Sequence, residues 1–160
     1  MSLRDLAYRN KSKSILSGGR KGRVLTVKEI KRIRKRGYRA ERQLVRNLRA
    51  LGFNAVRVPV SAPSSEPLPD VFAMKGDYLL AFEVKAPNAD RAYFRSDQVK
   101  KLFDFIGMFE TYDKKLAVLV AKFPYKWVMR HVEEVGDYVV LKDEKSNIRL
   151  DRVKTKLLSL

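Results

Sequence analysis

The spacing of apolar residues predicts a chain that contains both helices and strands. Between residues 38 and 53 the apolar side chains recur every three or four positions, which is the helical period. They form one stripe, made of Leu44, Val45, Leu48 and Leu51. The helix is expected to end at Gly52, because glycine is common just past a helix end. A second amphipathic helix is predicted over 96–110, with Ser96 as its N-cap.

Strand-like segments lie between and after these helices. Residues 54–61, "NAVRVPVS", predict one strand, and residues 62–69 form a loop too rich in proline to continue it. Residues 69–85, "PDVFAMKGDYLLAFEVK", predict a hairpin around Gly76-Asp77. The apolar run 115–123 is typical of a strand covered on both faces, and later segments add at least one more strand. The pattern predicts a fold that contains both α-helices and β-strands.

The chain carries a large excess of positive charge. Its 35 Lys and Arg outnumber 18 Asp and Glu, a net of +17. Repulsion on that scale destabilises a compact state, so a polyanionic partner is expected; a basic protein without a dedicated polyanion is the alternative. Residues 1–36 hold 13 of the Lys and Arg and only two acidic residues, a net of +11. We therefore divide the chain into a basic, partly flexible N-terminal arm, 1–36, and a domain, 37–160.

One helix is predicted inside the arm. Residues 26–29, "TVKE", have the form of a capping box, with Thr26 at the cap and Glu29 three positions later. A short helix is expected to follow and to end before Gly37. The polar segment 10–23 is expected to be flexible.

Several classes of protein are excluded by what the sequence lacks. There is no cysteine, which excludes disulfides, thiolate metal sites and cysteine nucleophiles. The single histidine, His131, does not support a multi-histidine metal site, and a Walker-type phosphate loop is missing. No apolar run approaches the ~20 residues of a membrane span, and the first residues lack the apolar stretch of a signal peptide. A cytoplasmic protein without a membrane partner is expected.

Three charged residues interrupt the apolar hairpin: Asp70, Glu83 and Lys85. A two-residue turn pairs positions whose numbers sum to 153, so Asp70 would lie opposite Glu83 on the same face. Lys85 shares that face, because it lies two residues further along the strand. Two carboxylates within roughly 5 Å repel, so one takes up a proton or both share a cation such as Mg²⁺ or Mn²⁺. The alternative is a charged strand end with an ordinary Glu–Lys pair.

These residues carry a family resemblance. Asp70 follows Pro69, and Glu83-Val84-Lys85 follows after a gap of 12 residues, which resembles the PD-(D/E)xK nuclease core. Upstream, "RAERQLVRNLRALGFNAVRVPVS" joins an Ala-Glu-Arg helix, Gly-Phe and an Arg-containing strand that ends in Ser. This order is similar to that of the archaeal Holliday junction resolvase family. The resemblance covers roughly residues 36–130 and implies an α/β fold with a mixed central β-sheet flanked by helices, the restriction-endonuclease-like nuclease core.

The resemblance implies roles for particular residues. The family's catalytic set matches Glu41, Asp70, Glu83 and Lys85, with Ser61 in the place of a further serine. The metal ion would be held by Asp70, Glu83, Glu41 and the backbone carbonyl of Val84. DNA contacts are expected from Arg36, Arg39, Arg42 and Arg57. The dimer interface is expected at Phe105 and Phe109.

From the residues alone, two of these assignments have a plainer alternative. Glu41 points along the buried face of its helix, but it is also a first-turn acid of the kind that the helix dipole favours. Phe105 and Phe109 are offset from the main apolar stripe of their helix, which is compatible with either burial in the core or contact with a partner.

The implied function is a Mg²⁺-dependent endonuclease, with Mn²⁺ as a substitute, that resolves four-way DNA junctions in recombination and repair. A homodimer would cut two opposed strands of a twofold-symmetric junction. The alternatives are a restriction-like or repair nuclease on duplex or flap DNA, and a non-catalytic basic nucleic-acid-binding protein of the same fold. Two features depart from the family's pattern, the longer loop 62–69 and the N-terminal arm.

Overall fold

The computed structural model describes residues 23–59 and 65–153. Its elements, in chain order, are helix α1 (Val27–Ala50), strands β1 (Asn54–Arg57), β2 (Val71–Lys75), β3 (Tyr78–Lys85) and β4 (Arg91–Phe94), helix α2 (Ser96–Gly107), strands β5 (Lys114–Phe123), β6 (Lys126–Val132) and β7 (Tyr138–Leu141), and a 3₁₀ turn (Leu150–Arg152). Ser61 and residues 1–22 of the N-terminal arm lie outside the described ranges. Within those ranges no helix is long and apolar enough to cross a membrane.

Five of the described strands form one mixed sheet, in the order β1-β2-β3-β5-β6. Neighbouring strands are antiparallel except for β3 and β5, which run parallel. Parallel strands need a long crossover connection, and here the chain passes through β4 and α2 between them. Strands β4 and β7 pair as a separate antiparallel ribbon. The α/β class with a mixed central sheet, predicted from the sequence, is confirmed.

Each face of the sheet has its own apolar core. Helix α1 packs on one face through its predicted stripe, of which Leu44, Val45 and Leu48 are buried. Helix α2 packs on the other face through Val99, Leu102, Phe105 and Ile106. Strand β5 contributes to both cores, and its residues 117–121 are buried throughout. The prediction of a strand covered on both faces is therefore confirmed.

The β2–β3 hairpin has the predicted register. Lys75 pairs with Tyr78 and Val71 pairs with Phe82. Gly76 takes the first turn position with φ of +59°, a left-handed conformation that glycine adopts without steric cost. Side chains along β3 alternate between the two cores. Leu80, Phe82 and Val84 face α1, and Leu79 and Ala81 face α2.

The predicted break in the N-terminal helix is wrong. The capping box of Thr26 and Glu29 is present, with the Glu29 carboxylate accepting from the Thr26 N–H at 2.7 Å. The helix then continues without interruption through Gly37 to Ala50. A glycine lowers helix stability by only about 1 kcal/mol, and the turns on either side outweigh that cost. The predicted division of the chain after residue 36 thus falls inside α1.

Other predicted boundaries also shift. Ser96 is the first residue of α2, and the cap position belongs to Arg95. The Ser96 N–H donates to Asp137 Oδ1 at 2.6 Å, so a residue distant in sequence satisfies a donor at the helix start. The helix ends at Gly107 rather than at residue 110, and β1 ends at Arg57 rather than at residue 61.

Candidate active site

Strand β3 places Glu83 and Lys85 on the face of the sheet that α2 covers. Both are half-buried, and both follow the alternation set by Leu79 and Ala81. The Lys85 ammonium lies 5.6 Å from the centre of the Phe94 ring, in β4. That ring is 1% exposed, so it forms a fixed apolar wall beside the lysine. The hairpin thus presents a carboxylate and an ammonium together at its open end.

Asp70 lies immediately before β2, next to the same end of β3. Its backbone N–H donates to the Phe82 carbonyl at 3.0 Å, and its carbonyl accepts from the Val58 N–H at 2.9 Å. Its Oδ2 accepts from the Val84 N–H at 2.8 Å. The backbone on both sides therefore fixes the Asp70 carboxylate against the strand that carries Glu83.

The structure places Asp70 and Glu83 close enough for their negative charges to repel each other. Burial of the Glu83 carboxyl, and next the negative charge of Asp70, raise the pKa of Glu83 to about 8, although Lys85 opposes the shift. Burial also lowers the pKa of Lys85 from its ordinary value, against the attraction of Glu83 and Asp70. The repulsion between two carboxylates held this close is reduced when one of them takes up a proton or when both bind a cation.

Glu41 reaches this cluster from α1. It is 7% exposed, and its pKa is raised, first by burial and then by the charge of Asp70. Its Oε2 accepts from Arg57 Nε at 2.5 Å. The Arg57 guanidinium also lies 4.6 Å from the centre of the Tyr38 ring. Arg57, expected from the sequence to contact DNA, is thus held by an acid and an aromatic ring of α1.

The donor groups fit a magnesium ion in part. Among the described residues, no three acidic or histidine side chains stand together as a ready-made metal cluster. Mg²⁺, however, usually takes one or two carboxylates and keeps several waters. Asp70 and Glu83, with the Val84 carbonyl, supply such a set. Glu41 is turned to Arg57 in this arrangement, and its role as a further ligand stays a prediction.

One residue of the site was missed from the sequence. Gln98, in the first turn of α2, donates from Nε2 to Glu83 Oε1 at 3.0 Å. Its Oε1 accepts from the Arg95 N–H at 3.2 Å, so both ends of its amide are used. The sequence signal was only a glutamine at the third position of a helix, where capping is the usual role. Its contact with Glu83 depends on α2 lying beside β3.

The four arginines predicted to contact DNA lie along α1 and β1 in two different environments. Arg39 and Arg42 are exposed on the outer side of α1. Arg36 is half-buried and donates to the Ala86 carbonyl, just beyond β3. Arg36 and Arg57 therefore hold parts of the site in place, whereas Arg39 and Arg42 face outwards. Their contacts with DNA stay predictions.

The two phenylalanines of α2 also differ. Phe105 is 5% exposed within a single chain and packs on Phe72 at 5.3 Å between ring centres. Phe109 is half-buried, 5.1 Å from Phe105 and 6.3 Å from Tyr112. Phe105 thus has a core role of its own. Phe109 belongs to a partly covered apolar area that continues to Phe72 on β2.

The fold and the site together define a class of protein. A mixed sheet with helices on both faces carries an aspartate before β2 and a Glu-x-Lys triplet at the end of β3. The aspartate repels the glutamate, and the lysine attracts it. This is the arrangement of a PD-(D/E)xK nuclease.

Comparison with known proteins narrows the class to a family. The model of the archaeal Holliday junction resolvase (hjc) family matches residues 32–157. The crossover junction endodeoxyribonuclease Hje of Sulfolobus acidocaldarius is 42% identical over 107 residues, 67% of this chain and 77% of that protein. Hje of Saccharolobus solfataricus is 41% identical over 107 residues, 67% of this chain and 79% of its own.

A solved structure agrees. The Holliday junction resolvase Hjc of Archaeoglobus fulgidus superposes with a TM-score of 0.56 at 29% sequence identity, covering 66% of this chain and 88% of that one. The chain belongs to the archaeal Holliday junction resolvase family, and its enzyme class is that of a crossover junction endodeoxyribonuclease. The family resemblance inferred from the sequence is confirmed.

Proposed function

We propose that this resolvase cuts four-way DNA junctions as a homodimer that uses Mg²⁺, with Mn²⁺ as a substitute. The observation that carries the proposal is the pair of mutually repelling carboxylates, Asp70 and Glu83, beside Lys85. A divalent cation relieves that repulsion and can also bind a phosphate oxygen. Such a substrate would place the protein with DNA inside the cell, as expected from the sequence.

Each site residue has a distinct task in this proposal. Asp70, Glu83 and the Val84 carbonyl hold the ion, which when bound acidifies a water and offsets charge on the scissile phosphate. Lys85 donates to that phosphate or to the attacking water, at a point where charge develops. Arg57 holds the Glu41 carboxylate in one orientation. Ser61, outside the described residues, keeps its predicted place in the catalytic set.

The apolar area that includes Phe109 supports the homodimer. Val56 on β1 pairs with Phe72 on β2, and both point away from α1. Val56 is 46% exposed, and the Tyr112 hydroxyl reaches Met74 Sδ at 2.9 Å on the same side. Helix α2 packs against β3 and β5, and so leaves the far side of β1 and β2 partly uncovered. A second copy would cover this area by a twofold axis and orient two active sites.

The catalytic assignment is tested with acid-to-amide variants. Asp70→Asn and Glu83→Gln should lower junction cleavage by more than about 100-fold. Junction affinity should stay within about tenfold, because binding depends mainly on phosphate contacts. Asp113→Asn and Glu133→Gln are matched controls, since both acids are exposed and lie outside the site. Near-normal cleavage by either site variant would contradict the assignment.

The substrate is tested in the same assay. A synthetic four-way junction, a linear duplex and a flap are compared with Mg²⁺, with Mn²⁺ and with chelator. Metal-dependent cutting of the junction in preference to the other two is expected. Equal cutting of duplex or flap would indicate a repair or restriction-like nuclease, and tight binding without cutting would indicate a non-catalytic protein.

A further inference from the structure

Helix α1 carries an unbroken row of cations along its outer face. Successive members are separated by four, three, four, three and four residues, so all of them lie on one side of the helix. Every member is exposed. We call this row the outer stripe, and its residues are Lys28, Arg32, Lys35, Arg39, Arg42 and Arg46.

The outer stripe has little negative charge to balance it: Glu29 attracts Arg32 and Glu41 attracts Arg42, but neither acid forms an ion pair with the stripe. The two acids of α1 are turned elsewhere, Glu29 to Thr26 and Arg23, and Glu41 to Arg57. In the described part of the chain, no member of the stripe forms an ion pair. Like charges three or four residues apart cost about 0.2–0.5 kcal/mol per pair. A bound polyanion would remove this cost.

The first half of α1 extends beyond the cores. None of residues 27–35 is buried, whereas the turns from Ala40 onward pack on the sheet. The extension is ordered by its capping box and by continuity with the turns that carry Glu41. At its base, Arg36 donates to the Ala86 carbonyl and so fastens the helix to the end of β3. The extension is therefore held in a fixed position relative to the candidate active site.

We infer that the first three turns of α1 bind the phosphate backbone of a DNA arm that leaves the cleavage site. This rests on the proposed function. Lys28 lies 13 residues before Glu41. At 1.5 Å per residue that is about 20 Å, the length of about six base pairs at 3.4 Å each. The contacts made by Lys28, Arg32 and Lys35 thus fall on the arm rather than at the branch point.

The chemistry of the stripe favours DNA over an acidic protein. The row continues without a gap into Arg39 and Arg42, which are exposed and are predicted to contact DNA. Its full length is about 27 Å, from 18 residues at 1.5 Å each. It contains only cations and no apolar anchor, and contacts of that kind read phosphate charge without reading bases.

The test removes the three outer charges. The variant K28Q/R32Q/K35Q is compared with K115Q/K145Q/R152Q, which loses the same number of Lys and Arg outside α1. Glutamine is a good helix former, and circular dichroism verifies the fold. Junction affinity is measured across a salt series in chelator, so that no strand is cut. The slope of log K against log salt should fall by about 0.9 per lost contact, up to about 2.7, in the first variant.

Arm length provides the second half of the test. On junctions whose arms are closed by loops after about four base pairs, K28Q/R32Q/K35Q should lose less affinity than on long arms. Lys28, about 20 Å from Glu41 along the helix, then lies beyond the last base pair, whereas Arg32 at about 14 Å and Lys35 at about 9 Å do not. Equal slopes for the two triple variants, or an equal loss on short and long arms, would overturn the inference. Cleavage does not enter this measurement, so a protein that shows the slope change but never cuts would refute the proposed function alone.

Discussion

At the scale of single residues, Gln98 shows how an uncharged side chain can orient a charged one, Glu83. It is anchored to the start of α2 through the Arg95 N–H and holds one oxygen of Glu83. This hydrogen bond therefore fixes the orientation of the whole Glu83 carboxylate. Loss of such a hydrogen bond to a metal-binding carboxylate typically lowers metal affinity or activity by about 10–100-fold.

We predict that Gln98→Leu raises the Mg²⁺ concentration for half-maximal cleavage by about 10-fold or more. The KM for the junction should change little, because Gln98 contacts Glu83 and no predicted phosphate contact. The control is Gln43→Leu, which changes the chain's other glutamine, half-buried in α1. An unchanged Mg²⁺ requirement would show that Gln98 only caps its helix.

The raised pKa of Glu83 gives a prediction for stability. In the folded chain this carboxyl titrates at about 8, and in the unfolded chain near its ordinary value of 4.5. Between those values the folded state binds more protons, so the free energy of unfolding should fall as pH rises from about 5 to 8 in chelator. Glu83→Gln should reduce this slope, and Glu41, whose pKa is shifted in the same direction, should retain part of it.

Mg²⁺ should reverse the pH trend. The ion must displace the proton from Glu83, so stabilisation by Mg²⁺ should grow as pH approaches about 8. Thermal melts at several pH values, with Mg²⁺ and with chelator, measure both effects. A flat profile in chelator would mean that Glu83 is ionised throughout and that the repulsion at Asp70 is weak.

At the scale of elements, α1 shows which local signals a fold overrides. Gly37 has open space around it, and a Cβ there would meet nothing within 4 Å. We predict that Gly37→Ala stabilises the protein by about 0.5–1 kcal/mol, because alanine loses less backbone entropy in a helix. Urea denaturation measures the change.

Gly52 is the matched control for that substitution. Its φ is +84°, and an added Cβ would also lie 3.6 Å from the Lys75 side chain. Gly52→Ala should therefore destabilise by about 1–2 kcal/mol, the cost of a left-handed conformation for an L-residue. Loss of stability in Gly37→Ala as well would indicate that α1 bends at that glycine.

Sequence reasoning succeeded where the structure is local. The register from Val71–Phe82 to Lys75–Tyr78 follows from two turn residues and side-chain alternation, so the shared face of Glu83 and Lys85 was predictable. The predicted pairing of Asp70 with Glu83 lies outside that register, and the Asp70 N–H donates to the Phe82 carbonyl instead. Sequence reasoning failed where distant segments meet. Asp137 replaces the expected Ser96 cap from 41 residues away, and the Arg57–Glu41 pair joins a strand to a helix. Contacts of that kind depend on how layers pack, which no spacing pattern records.

At the scale of the whole molecule, the proposed homodimer is tested best at a residue that the fold of the single chain does not need. Replacing Phe105 would create a cavity in the core and cost about 3–5 kcal/mol, so its loss would confuse unfolding with dissociation. Val56 is a better probe, because it is 46% exposed and sits on β1 next to Phe72. A charge placed there stays in water in the monomer but is buried in the proposed dimer.

We predict that Val56→Asp yields a folded monomer, since an unpaired buried charge in an interface is strongly unfavourable. Val135→Asp is the matched control, because Val135 is 50% exposed in a loop outside the apolar area. Light scattering gives the mass, and junction cleavage gives the pattern: the monomer should leave single nicks in place of paired cuts. A dimer that persists in Val56→Asp would place the interface elsewhere.

The continuity of α1 also has a consequence for how this chain tolerates insertions. Each residue added to a helix turns everything before it by 100° and shifts it by 1.5 Å. One extra residue between Lys35 and Arg39 would rotate Lys28, Arg32 and Lys35 by about 100° relative to Arg39 and Arg42. Seven extra residues would return them to within about 20° but about 10 Å further out. Helix geometry therefore restricts the length of this segment. Insertions and deletions in it are expected to add or remove close to a whole number of helical turns.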